Sequence, residues 1–154
     1  ACAEVGVTLD FQIYRSGYML GLPYYCTPTT GFETADHGGD FAVQCDLTTF
    51  PEYAAGYAQG REIFLLKSEI NQVTSQIRDR HRQAEALMSQ IKQLTSSRDK
   101  PELAKKESRQ LEYQISQLKE LYRSLSEEIV GLENNIDVLE DEANVITTTF
   151  YGSL

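Results

Sequence analysis

Residues 94–101 read Leu94-Thr95-Ser96-Ser97-Arg98-Asp99-Lys100-Pro101, a short polar break between two long helical patterns. Before it, Ile63, Leu66, Ile70, Val73, Ile77, Ala84, Leu87, Ile91 and Leu94 recur at spacings of three and four, interrupted only at Arg80. After it, Ala104, Leu111, Ile115, Leu118, Tyr122, Leu125, Ile129, Leu132, Ile136, Leu139, Ala143 and Ile146 continue the rule, with Ser108 as the polar interruption. Such a seam is the pattern of helices packed as a coiled coil. The break supplies a stop and a start. Asp99 is a candidate N-cap, and Pro101 is tolerated in a first turn, where its missing N–H has no partner to lose.

Folding the chain back at Arg98 or Asp99 lays one seam on the other. Leu87 then faces Leu111, Ala84 faces Ile115, Arg80 faces Leu118, Ile77 faces Tyr122 and Val73 faces Leu125, and the numbers of each pair add to 198 or 199. Thr49-Phe50-Pro51-Glu52 predicts the start of the first arm, with Thr49 as cap and Glu52 completing a capping box. Residues 51–95 and 102–146 then form equal arms, and the expected element is an antiparallel hairpin over 51–146 with its turn near 96–101. A parallel dimer of two separate coils satisfies the same heptads and is the competing arrangement.

Residues 1–50 have a different character. Most of the nine tyrosines fall in the first 60 residues, and Tyr-x-x-Gly-Tyr-x-x-Gly occurs twice, at Tyr14–Gly21 and Tyr53–Gly60. Glycine costs a helix about 1 kcal/mol relative to alanine, so Gly17, Gly21, Gly56 and Gly60 are expected to allow a neighbouring ring or helix to approach closely. In the register above, Gly56 falls opposite Ala143. The alternative is a glycine groove for a ligand. Thr27-Pro28-Thr29-Thr30-Gly31 and Asp36-His37-Gly38-Gly39-Asp40 read as loops. Of the three cysteines, Cys26 and Cys45 form the most economical bridge, closing a loop of about 19 residues. Cys2 is then left free or paired outside the chain. The fold class expected is all-α: a small disulfide-tied, Tyr/Gly-rich helical head (1–50), a long antiparallel coiled-coil hairpin (51–146) and an extended tail (147–154).

Net charge is −9, which argues against nucleic acid as a partner. Its distribution is uneven: residues 1–74 carry −6, residues 75–110 carry +4 and residues 111–154 carry −7. The hairpin turn is therefore basic, with Arg98, Lys100, Lys105, Lys106 and Arg109 as candidate partner-binding residues. An anionic surface at the tip is one partner this admits; a plain solvated helix surface is the other reading. No run of 18 apolar residues is present to cross a membrane.

The run Cys2, Tyr14-x-x-Gly17-x-x-x-Gly21-Leu22-x-x-Tyr25-Cys26, a glycine-bearing loop, Cys45 and Phe50-x-x-Tyr53-x-x-Gly56 resembles a family of uncharacterised Gram-negative envelope lipoproteins known by a domain of unknown function. The resemblance covers about residues 2–61. It implies a periplasmic or outer-membrane setting, peripheral or lipid-anchored membrane association, and no assigned chemistry.

Catalytic and metal templates are weak. Cys26 with His37 and Asp36 or Asp40 could make a nucleophile and base, but a bridge at Cys26 ends that role. Asp36, His37 and Asp40 match no strong metal template, and the glycines between them suit a turn. No catalytic residue, metal or cofactor is therefore expected. The expected function is a non-enzymatic structural or adaptor component of a bacterial cell-envelope assembly that binds other envelope proteins through the hairpin. The alternative is a periplasmic ligand- or glycan-binding module using the head.

Overall fold

A computed structural model describes residues 10–101 and 104–154, and the expectations for Cys2 lie outside them. Four helices follow in order: α1 (Phe11–Tyr25), α2 (Pro28–Asp36), α3 (Pro51–Arg98) and α4 (Lys105–Gly152). No strand occurs among the described residues. The chain is all-α, a disulfide-tied helical head and an antiparallel helical hairpin. Its contacts divide it into two units, Ala1–Lys67 with Ala143–Leu154, and Ser68–Glu142.

In the first unit each short helix begins on a side-chain cap. Asp10 Oδ1 accepts from the backbone N–H groups of Gln12 and Ile13 to start α1. Thr27 accepts from Thr30 N with Pro28 in the first turn, and so starts α2. The expected loop at 27–31 is therefore a helix. Thr-Pro is itself a start signal, a capping hydroxyl followed by a residue whose missing N–H is harmless at that position. The turn into α3 is held by Asp46, whose carboxylate accepts from Thr48 N, Thr48 Oγ1 and Thr49 N. Asp46 thus orders the turn that leads into α3, and the expected capping box of Thr49 and Glu52 is not formed among the described residues.

These bonds to the ionised carboxylate hold Asp46 at a pKa of about 2, against an ordinary 3.8, the Thr48 hydroxyl first among them. A depressed carboxylate supports the fold above its unfolded pKa, and the support is lost as pH falls through the folded value. The Thr48 and Thr49 amides should therefore lose hydrogen-exchange protection between about pH 4 and pH 2, with an Asp46 NMR midpoint near 2. A midpoint near 4 would contradict the turn.

α2 lies across the N-terminal part of α3 at backbone contact. A Cβ on Gly56 would sit 2.1 Å from Pro28 O, one on Gly60 2.1 Å from Phe32 O, and one on Gly31 of α2 2.2 Å from Tyr53 O. The glycines of the second Tyr/Gly copy are therefore packing glycines, but the helix they receive is α2. Gly56 is not opposite Ala143, as the first register required. Beside this crossing, Leu22, Cys26, Cys45 and Tyr53 form one buried cluster, with Phe41, Ala42, Phe50 and Tyr57 against it. Tyr57 OH donates to Gly39 O at 2.9 Å, whereas the buried Tyr53 hydroxyl has no hydrogen-bond partner among the described residues. Tyr53 contributes through its ring, edge-on to Phe41 at 5.4 Å. Gly38 turns the chain out of α2 at φ +77°, a backbone that L side chains rarely adopt.

The second cluster of this unit joins Phe32, Ile63 and Phe150, with Ala143 and Ile146 packed against it. Phe150 stacks on Phe32 at 4.2 Å, and Tyr151 meets the same ring edge-on at 5.6 Å. The expected extended tail at 147–154 is instead the last turns of α4, helical to Gly152. Thr147 Oγ1 donates to Ala143 O, so the hydroxyl is satisfied inside the helix. Phe150 continues the three-and-four seam from Ala143 and Ile146. That periodic position outweighs the strand preference of three threonines.

The second unit is the hairpin proper. α3 runs on through Arg98 and α4 starts at Lys105, so of the turn expected near 96–101, residues 96–98 are helical, while 99–101 and 104 are not. Thr95 and Ser96 are helical, their hydroxyls satisfied within the helix by donating to the carbonyls of Ile91 and Lys92. Val73, Ala84, Ile91, Ile115, Leu125, Ile129 and Leu139 are buried along the seam. The register differs from the one expected. Arg80 Nε meets Glu128 Oε1 at 2.8 Å, ten residues along α4 from the expected Leu118. A slide of three seam steps returns an evenly spaced seam onto itself, so the heptads permit both registers. Arg80, the one charge in the α3 seam, is accommodated by a partner carboxylate in the observed register.

Candidate functional site

The break between α3 and α4 carries the basic residues singled out from the sequence. Lys100, Lys105, Lys106 and Arg109 are exposed and Arg98 is half-buried. Arg98 contacts the Asp99 carboxylate at 2.8 Å through Nε, and through Nη2 at 2.8 Å, which raises its pKa. Arg98 is thus committed to holding the turn, and the other four cations remain the outward charge. Residues 92–109 hold six basic and three acidic side chains, whereas residues 111–142 hold two and nine.

Farther from the turn along the same end of the hairpin, the two arms leave a groove of about 410 Å³, lined by Gln90, Gln93 and Leu94 from α3 and Gln114, Gln117 and Leu118 from α4. Four amides, each able to donate and accept, surround two leucines. Gln117 Nε2 is fixed by a 2.8 Å bond to Tyr113 OH. The groove has room for one large apolar side chain, and its amides can form hydrogen bonds as donors and acceptors. The glutamines were not singled out from the sequence. Their signal was positional: they flank the seam residues Leu94 and Leu118, at sites where most coiled coils carry charge.

The remaining candidates separate clearly. Cys26 and Cys45 are disulfide-bonded, Cα atoms 5.4 Å apart, and both are buried. Cys26 is therefore no nucleophile for His37, whose Nδ1 lies 2.7 Å from Glu33 O. Asp36 is paired with Lys67 at 2.5 Å. Among the described residues no three His, Cys, Asp or Glu side chains come together as a metal site would require, and no helix is long and apolar enough to cross a membrane. Gly17 and Gly21 do not behave as packing glycines: nothing lies within 4 Å of a Cβ at either. The first Tyr/Gly copy is left uncovered, Gly17 and Gly21 lining an open groove beside Gln44, because among the described residues α1 meets the head core through Leu22 and the adjoining Cys26.

Fold and surface together define a class, a disulfide-tied helical head joined to an antiparallel helical hairpin. Within it, residues 1–62 match the model of a family described as Protein of unknown function (DUF2799). No curated protein and no solved structure matches the chain.

Proposed function

We propose that the protein is a non-enzymatic adaptor or structural component of a bacterial cell-envelope assembly, and that it holds a partner protein at the end of its hairpin. The observation that carries this reading is the groove of about 410 Å³ between the arms, with its glutamine rim and leucine floor, in the same end of the hairpin as the exposed Lys100, Lys105, Lys106 and Arg109. The partner segment it fits is acidic, with one apolar side chain to enter the groove. The acid-rich stretch 111–142 repels such a segment and confines it to the turn. The Cys26–Cys45 bridge is the kind that persists in oxidising compartments, which supports a periplasmic or outer-membrane setting with peripheral or lipid-anchored membrane association. The resemblance of residues 2–61 to envelope lipoproteins is in keeping with it.

The test is a tagged pull-down from gently solubilised envelopes, comparing the native chain with a Lys100→Glu/Lys105→Glu/Lys106→Glu variant. A stoichiometric partner is expected with the first and at least a tenfold loss with the second. Equal recovery with both would refute binding at the tip.

A second reading, a ligand- or glycan-binding head, rests on a groove of about 610 Å³ that includes Tyr18, Met19, Leu22, Val43, Thr49 and Phe50. It predicts saturable small-molecule binding that Tyr18→Ala removes and the lysine variant leaves unchanged.

A further inference from the structure

The two Tyr-x-x-Gly-Tyr-x-x-Gly copies have opposite fates. The copy in α3 receives another helix, α2, against its glycines. The copy in α1 presents the same order of rings and glycines, and no described residue lies within 4 Å of a Cβ placed on its glycines. What the second copy does shows what the first is shaped for: a helix lying across it.

At 3.6 residues per turn, α1 carries two adjacent rows with coiled-coil spacing, Ile13-Gly17-Leu20-Tyr24 and Tyr14-Tyr18-Gly21-Tyr25. The six large side chains in these rows are between 45% and 87% exposed. At about 200 Å² for a large side chain, they present roughly 750 Å² of surface. That exceeds the patch of about 300–600 Å² found on a typical monomer, and it matches the roughly 800 Å² that each partner of a stable complex contributes. The only charge in α1 is Arg15, which lies outside both rows. Two chains of net charge −9 therefore meet there without like charges at the contact.

The order of residues identifies the occupant. Within the two exposed rows, Ile13, Tyr14, Gly17, Tyr18, Leu20, Gly21, Tyr24 and Tyr25 are placed symmetrically about Met19, apolar against apolar and glycine against glycine, while Ser16 and the buried Leu22, which do not match, lie outside the rows. An isologous twofold interface requires a surface complementary to itself. Laid antiparallel about an axis beside Met19, Gly17 of one copy meets Gly21 of the other. Tyr18 then meets Leu20, Tyr14 meets Tyr24, and Ile13 meets Tyr25. We propose that α1 is a self-association surface, and that the protein forms a twofold dimer through antiparallel α1 helices. This goes beyond the hairpin reading and does not depend on it.

The test is sedimentation equilibrium of the whole chain carrying Cys2→Ser, so that no intermolecular bridge through Cys2 imitates the contact. The expected species is twice the 17.4 kDa chain mass, with a Kd of about 10 µM or tighter. Leu20→Glu and Tyr24→Glu should each raise that Kd about a hundredfold by placing an unpaired charge in the contact, with far-UV circular dichroism unchanged. Leu65→Glu, at an exposed site on α3, should leave it unchanged. A monomer at about 200 µM, well above that Kd, overturns the proposal. So does a dimer indifferent to both α1 charges, or one that Leu65→Glu dissolves equally. A monomer that binds phosphatidylcholine vesicles through Leu20 and Tyr24 would assign the face to a bilayer and overturn it as well.

Discussion

Gly56→Ala and Gly60→Ala are each expected to destabilise the head by about 3 kcal/mol or more, while Gly17→Ala and Gly21→Ala leave it unchanged or raise its stability by up to about 1 kcal/mol. The four substitutions are chemically the same and differ only in what the new methyl meets. At Gly56 and Gly60 it meets backbone carbonyl oxygens of Pro28 and Phe32 at 2.1 Å. A backbone atom in a capped helix cannot turn aside as a side-chain tip can, so α2 must lift from α3 and uncover Phe32 and its stack on Phe150. At Gly17 and Gly21 the methyl meets nothing among the described residues of its own chain, so in the monomer alanine's better helix propensity is all that is felt. Urea unfolding followed by tyrosine fluorescence measures both pairs; equal losses in all four variants would contradict the crossing.

Removal of the Cys26–Cys45 bridge by paired serine substitution should cost about 3 kcal/mol, the entropy of closing a 19-residue separation in the unfolded chain. The effect should be confined to the head. α1 has one buried side chain, Leu22, and without the bridge that contact and Cys26's neighbours alone hold it. Limited proteolysis should then cut within residues 11–25 while α3 and α4 survive as long fragments. Uniform degradation of the whole chain would show that the bridge supports more than the head.

Much of this architecture is legible in the sequence because its causes are local. Two three-and-four seams, each interrupted at one polar position, a polar break with Pro101, and a single economical cysteine pair lead to the hairpin and the bridge. The register is not legible, because an evenly spaced seam slides onto itself in steps of three and four. The selecting contacts, Arg80 with Glu128 and Phe150 on Phe32, join residues 48 and 118 positions apart. α2 was hidden by composition: its glycine and threonines look like a loop until Thr27 and Pro28 are recognised as cap and first turn. The glycines divide for a related reason. Both Tyr/Gly copies look alike, and only the tertiary placement of α2 decides that Gly56 and Gly60 are covered and Gly17 and Gly21 bare. The groove between the arms was missed because glutamine carries no strong motif. It acquires a role only when four such side chains, two from each arm, face one another.

The central functional claim is that the groove and cations at the turn hold a protein partner. The most direct measurement places a photo-cross-linking side chain at Gln93 or Gln117 in living cells and follows the adduct by mass. The expected result is one dominant adduct from both positions, absent when Lys100, Lys105 and Lys106 are made acidic and absent from a cross-linker at exposed Glu69. Adducts equally abundant from Glu69, or unaffected by the charge reversal, would contradict it.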